Sequence, residues 1–142
     1  MANMVIRSRV EWDHEGVRSI ADMNGKKLII DEPKVLGGTD LGPNPVELIL
    51  AALGSCLVVL AASLAPDHQV EFSNLKIELE GDLDPDGYME KNPDVRVGYQ
   101  EIRYRVLLDS PSEQQDIQAL LAHVERLCPV KDTLAGVPII SF

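Results

Sequence analysis

A chain of 142 residues, 45% of them apolar, is long enough for one domain with a buried core and too apolar to stay disordered. Its formal net charge of -10, with no Lys/Arg cluster, sets up a field that repels nucleic acid and anionic membrane surfaces, so neither is an expected partner. Met1-Ala2-Asn3-Met4-Val5-Ile6-Arg7 leads straight into charged alternation, without the apolar centre of a signal peptide. The expected compartment is the cytoplasm, where a standing disulfide is unusual and a transient one implies function.

Ile6, Ser8, Val10 and Trp12 alternate with Arg7, Arg9, Glu11 and Asp13, which predicts a half-buried strand. A second strand is expected over 17–23, ending at Asn24-Gly25, a strong signal for a two-residue hairpin because both positions favour φ > 0. The chain returns over 26–31, completing an antiparallel meander. Pro33 to Gly42 reads as a loop broken by Gly37-Gly38 and Gly42-Pro43. Asn44-Pro45-Val46-Glu47 reads as a helix start, with Asn44 as N-cap, Pro45 in the first turn and Glu47 closing a capping box.

Leu48 to Ala65 contains no charged residue and is just long enough to span a bilayer. Glu47 and Asp67 flank it, no positive residue does, and it is rich in Ala, Gly, Ser and Cys; a fully buried core helix is the expected reading. Gly54-Ser55 is expected to split it, leaving a second segment from about Cys56. Alternation over 75–80 predicts a strand, and 81–94 is acidic and turn-forming. A long strand is expected over 95–108, with a phase slip near Gln100-Glu101 read as a β-bulge.

Ser110-Pro111-Ser112-Glu113 starts a helix whose stripe is Ile117, Leu120, Leu121, Val124 and Leu127, with Cys128 on the same face. A short last strand is expected over 137–142. The fold class is therefore α+β in a single domain, residues 1–142. A helix apolar all round is more than one small sheet and one amphipathic helix can cover, so an intertwined homodimer is expected.

Two cysteines carry the candidate chemistry. Cys56 would be activated at a helix start if Gly54-Ser55 breaks the helix, because free backbone N–H groups lower a thiol's pKa; in an unbroken helix it would be inert. Cys128 is a stripe residue stopped by Pro129, and a small core residue is its plainer role. His14, His68 and His123 show no metal-ligand spacing, and His123 reads as a solvated helix residue, so neither a metal nor a cofactor is expected. Read alone, Glu47 is a capping-box acid and Arg18 a strand surface charge.

Gly37-Gly38, Gly42-Pro43-Asn44-Pro45-Val46-Glu47-Leu48, Ala51-Ala52-Leu53-Gly54-Ser55-Cys56-Leu57 and Cys128-Pro129-Val130 together resemble the OsmC/Ohr family of thiol peroxidases over nearly the whole chain. The resemblance implies an OsmC-like fold, dimeric, with active sites at the subunit interface. It places Cys56 on the peroxidatic cysteine, Cys128 on the resolving cysteine, and Glu47 on the motif glutamate that holds an arginine. That arginine comes from the N-terminal hairpin and falls on Arg18, with Arg7 and Arg9 as fallbacks. It further implies an organic hydroperoxide substrate, a Cys56–Cys128 disulfide intermediate, and a dithiol reductant, lipoylated proteins rather than thioredoxin. Lys131-Asp132 puts charge where many members of the family carry small polar residues, and Asp40-Leu41-Gly42-Pro43 is not the form of the Ohr branch, which favours an OsmC-like or unassigned branch. Two other readings stand beside it: a general thiol–disulfide redox protein, and a dimeric small-molecule-binding module with inert cysteines.

Overall fold

In the computed structural model, which describes residues 2–136, Asn24 and Gly25 adopt the left-handed conformation expected of them, with φ of 57° and 82°. That turn sets the register of β2 (Ser19–Met23) on β3 (Lys26–Ile30), with Met23 opposite Lys26 and Ser19 opposite Ile30. β1 (Arg9–Trp12) pairs antiparallel with the other edge of β2, completing the expected meander. The first strand is shorter than its alternation predicts, and it is exposed on both faces rather than half-buried. Val10 and Trp12 are each 59% exposed. The chain forms two compact units, Met1–Ile49 and Leu50–Phe142, described in turn.

In the first unit the loop after β3 folds around one buried carboxylate. Asp31 is 1% exposed and accepts hydrogen bonds from the N–H groups of Glu32 (2.8 Å), Thr39 (3.1 Å) and Leu41 (3.2 Å), and from the Thr39 hydroxyl (2.5 Å). Gly38 is required here, since a Cβ would lie 1.8 Å from the Glu32 carbonyl oxygen. Burial alone would raise the Asp31 pKa, but the Thr39 hydroxyl and the three N–H donors outweigh it and hold the group well below the usual carboxylate range. The unfolded chain, with an Asp pKa of about 3.9, therefore binds the proton first. The stabilisation is complete above that pH and is lost as pH falls further towards the depressed native value. We expect Asp31→Asn to lower the melting temperature at pH 7 and to flatten the pH dependence of stability below pH ~4. A wild-type melting temperature that stays level from pH 5 to pH 2.5 would contradict this.

The capping box forms as predicted: Asn44 Oδ1 accepts from the Glu47 N–H (2.8 Å), and Glu47 Oε2 accepts from the Asn44 N–H (2.9 Å). From it α1 (Pro45–Leu64) runs 20 residues without a break, so the predicted interruption at Gly54-Ser55 does not occur. Ser55 stays in the helix by donating its hydroxyl to the Ala52 carbonyl (3.1 Å). Gly54 serves packing instead: a Cβ there would sit 2.6 Å from Leu79 Cδ1. Nor is the helix buried all round, since only Leu53, Gly54, Leu57 and Ala61 are buried and Val59 is 62% exposed. The stretch Pro45–His68 is long and apolar enough to cross a membrane by length and composition, and its buried stripe packs into the core of the second unit.

That core joins the buried stripe of α1 to β4 (Asn74–Asp82), β5 (Glu101–Asp109) and α3 (Gln114–Leu127). β4 and β5 pair antiparallel along their full length, Asn74 opposite Asp109 and Asp82 opposite Glu101. The expected bulge near Gln100-Glu101 is instead where β5 begins, and residues 95–100 are not strand. They are held by tertiary contacts: the Tyr99 ring lies over Gly81, and the Arg96 carbonyl lies over Gly87 of the short helix α2 (Pro85–Tyr88). Leu120 and Val124 are buried as the helical stripe predicts, whereas Leu127 is 48% exposed. A short helix, α4 (Pro129–Ala135), follows at once and was not expected. The expected last strand lies outside the described residues. Among the described residues the architecture is α+β, with a three-stranded and a two-stranded antiparallel sheet.

Candidate active site

Continuity of α1 places Cys56 in mid-helix, half-buried. Cys128 stands at the corner between α3 and α4, 2% exposed. Pro129 does more than stop α3, because it occupies the first turn of α4 and makes Cys128 the N-cap of that helix. The Cys128 Sγ accepts the Lys131 N–H (3.3 Å) and lies 3.0 Å from Cys56 Sγ, with both thiols free. Residues 72 apart in sequence are thus brought into contact.

Burial pushes the Cys56 thiol pKa up, and the hydrogen bond with Cys128 pushes it further; the Val130 N–H opposes them without prevailing. The activating helix start expected from a break in α1 is absent. What the thiols receive instead are two backbone N–H groups from α4, Val130 toward Cys56 and Lys131 toward Cys128. Thiolate formation at Cys56 therefore calls for a positive group beyond these neighbours.

Beside the corner lies a side-chain cluster that sequence reasoning missed. Glu125 Oε1, on α3, accepts from the Tyr104 hydroxyl of β5 (2.7 Å) and from Lys131 Nζ of α4 (2.9 Å). The Lys131 and Tyr104 hydrogen bonds lower the Glu125 pKa. Burial, then the bond to Glu125, pushes Tyr104 up to about 12, so it remains a donor through the neutral range. The departure of Lys131-Asp132 from the family pattern was the one signal pointing here.

An apolar cavity of about 490 Å³ opens next to these groups, lined chiefly by Leu57, Ala61, Ile77, Tyr104, Leu121 and Val124. His123 is not simply solvated, because its Nδ1 lies 2.9 Å from His68 Nε2 in a hydrogen bond between α3 and the 3-10 turn Ala65–His68 that follows α1. No group of three or more potential metal ligands occurs among the described residues.

In the first unit, Arg18 is 17% exposed at its side chain and is held from two directions. Its Nε donates to Asp13 Oδ2 (2.5 Å) and its Nη1 to Thr39 Oγ1 (3.0 Å), the same hydroxyl that donates to Asp31. Glu47 is engaged in the capping box, so the two-point Arg18–Glu47 pair implied by the family resemblance is not formed among the described residues. Arg9 lies on exposed β1 and Arg7 just ahead of it.

A family model described as "OsmC-like protein" matches residues 38–141. The chain is 28% identical over 96 residues to a hydroperoxide reductase of Mycoplasma genitalium, covering 67% of this chain and 64% of that relative's length. Among solved structures it resembles an OsmC-like protein from Mycoplasma pneumoniae with a TM-score of 0.81 at 21% identity, covering 96% of this chain and 91% of the other. It also resembles an organic hydroperoxide resistance protein from Legionella pneumophila with a TM-score of 0.63 at 17% identity, covering 96% and 93%. Structural likeness at these identities speaks for the fold, and the family match over most of the chain establishes kinship: this protein belongs to the OsmC-like family.

Proposed function

We propose that the protein is a thiol-dependent peroxidase that reduces organic hydroperoxides, working as a cytoplasmic homodimer. The observation that carries this reading is the 3.0 Å approach of the chain's two cysteines. The Cys56 thiolate attacks the outer peroxide oxygen, becoming a sulfenic acid while the alkoxide leaves and takes up a proton as the alcohol. The Cys128 thiol then displaces hydroxide from the Cys56 sulfur, forming the Cys56–Cys128 disulfide and releasing water. A dithiol reductant, by family resemblance a lipoylated protein, returns two electrons and two protons.

Arg18 is proposed, on the family resemblance, as the cation that favours the thiolate and stabilises the departing alkoxide in the assembled dimer, where Glu47 would orient it by a pair that the single chain does not form. The raised Cys56 pKa is why such a cation is needed. The apolar cavity lined by Leu57, Tyr104 and Val124 suits an alkyl peroxide better than hydrogen peroxide. Dimerisation accounts for the exposed apolar side chains of β1 and of α1, Val59 among them. The name of the Mycoplasma genitalium relative, hydroperoxide reductase, agrees with this reading.

The test is stopped-flow mixing of the reduced protein with cumene hydroperoxide and with hydrogen peroxide. Rapid loss of one peroxide equivalent per chain, faster with the organic peroxide, is expected. Disulfide exchange without a fast peroxide step would instead identify a general thiol–disulfide redox protein. Inert thiols with a free-thiol pKa near ~8.5 would identify a binding module.

A further inference from the structure

We infer that Tyr104, Glu125 and Lys131 form a positioning clamp for Cys128, which holds its sulfur ready to close the disulfide before Cys56 is oxidised further. The inference rests on the peroxidase reading above. It starts from a coincidence of contacts on one residue. Lys131 gives its backbone N–H to Cys128 Sγ at 3.3 Å and its side-chain ammonium to Glu125 at 2.9 Å. The first contact fixes the direction of the sulfur, and the second fixes the turn of chain that delivers the first.

Glu125 and Lys131 lie on opposite sides of the Cys128-Pro129 corner, so their ion pair staples the last turn of α3 to the first turn of α4. Tyr104 donates to the same carboxylate oxygen from β5 and ties the staple to the sheet. As a contribution to stability such a pair counts for little, because both side chains are nearly half exposed, 45% and 48%. Orientation is another matter. Cys128 has only one short contact to make, and a small displacement of a reacting atom is felt strongly in rate.

Two fates compete for the Cys56 sulfenic acid. In one, the Cys128 thiol condenses with it, forming the S–S bond and releasing water. In the other, a second hydroperoxide transfers oxygen to it, giving the sulfinic acid and an alcohol. A loosened corner slows the first reaction and leaves the second untouched. The clamp therefore sets the peroxide concentration at which the protein inactivates itself.

The experiment measures that partition directly. Reduced full-length protein is mixed with a range of cumene hydroperoxide concentrations, quenched with an alkylating reagent, and scored by intact mass for disulfide and for Cys56 sulfinic acid. We expect the concentration giving half over-oxidation to fall about threefold to tenfold in Lys131→Met and Glu125→Gln, and less in Tyr104→Phe. Lys131→Arg should restore it, and the exchanged pair Glu125→Lys/Lys131→Glu should recover most of what either single change loses. A purely structural role would only reduce the number of reactive chains, leaving the ratio of the two products in those that react unchanged. An unchanged ratio in both Lys131→Met and Glu125→Gln overturns the clamp while leaving the peroxidase reading intact. Wild-type protein that consumes peroxide without forming a Cys56–Cys128 disulfide overturns both.

Discussion

Cys56→Ser is expected to abolish peroxide turnover, because a serine hydroxyl has no accessible anion near neutral pH. Cys128→Ser should behave differently: it should consume one peroxide equivalent per chain, stop at the Cys56 sulfenic acid, and over-oxidise in excess peroxide. The structure makes the second variant a clean probe. Cys128 is the N-cap of α4 and accepts the Lys131 N–H, and serine is among the best residues at that position. The corner should therefore survive the exchange while the resolving thiol is lost. Peroxide consumption measured colorimetrically, with intact mass of the product, checks both results. Equal and sustained turnover in the two variants would remove the assignment of roles.

Arg18→Ala is expected to slow the peroxide attack by ~10²–10³, the usual effect of deleting a positioned donor to a developing negative charge. Arg18→Lys should be nearly as slow. The guanidinium is held in two directions, at Asp13 and Thr39, and an ammonium on a flexible stem keeps the charge but not that geometry. Glu47→Gln separates capping from catalysis, because glutamine also completes a capping box; the cost in stability should stay under about 1 kcal/mol. A marked slowing in that variant therefore reports the lost charge rather than a frayed helix. The Arg18 and Glu47 effects should be non-additive if each acts through the other. Single-turnover rates near wild type in both Arg18→Lys and Glu47→Gln would reduce the two residues to scaffold.

Features fixed by short-range chemistry were legible in the sequence. Asn24-Gly25 determines a hairpin because its two residues tolerate positive φ, and Asn44-Pro45-Val46-Glu47 determines a helix start because its side chains reach the free N–H groups beside them. The stripe of α3 placed Leu120 and Val124 in the core for a similar reason, since helical period alone decides which positions share a face. The motif around the two cysteines identified the family.

Where a residue's role depended on a distant neighbour, local reasoning went astray. Gly54 looked like a helix breaker, but the fold packs the Leu79 side chain against it, so that a Cβ there would press on the Leu79 methyl. The slip before β5 looked like a bulge, but it arises where the chain leaves the ladder to lie over Gly81 and Gly87. His123 looked solvated until α3 met His68, and Lys131 looked like a family departure until it met Glu125. The sequence by itself determined which two sulfurs could react. Only tertiary structure decided that they meet at 3.0 Å with backbone N–H groups from α4 beside them, because a contact across 72 residues depends on every element packed between them.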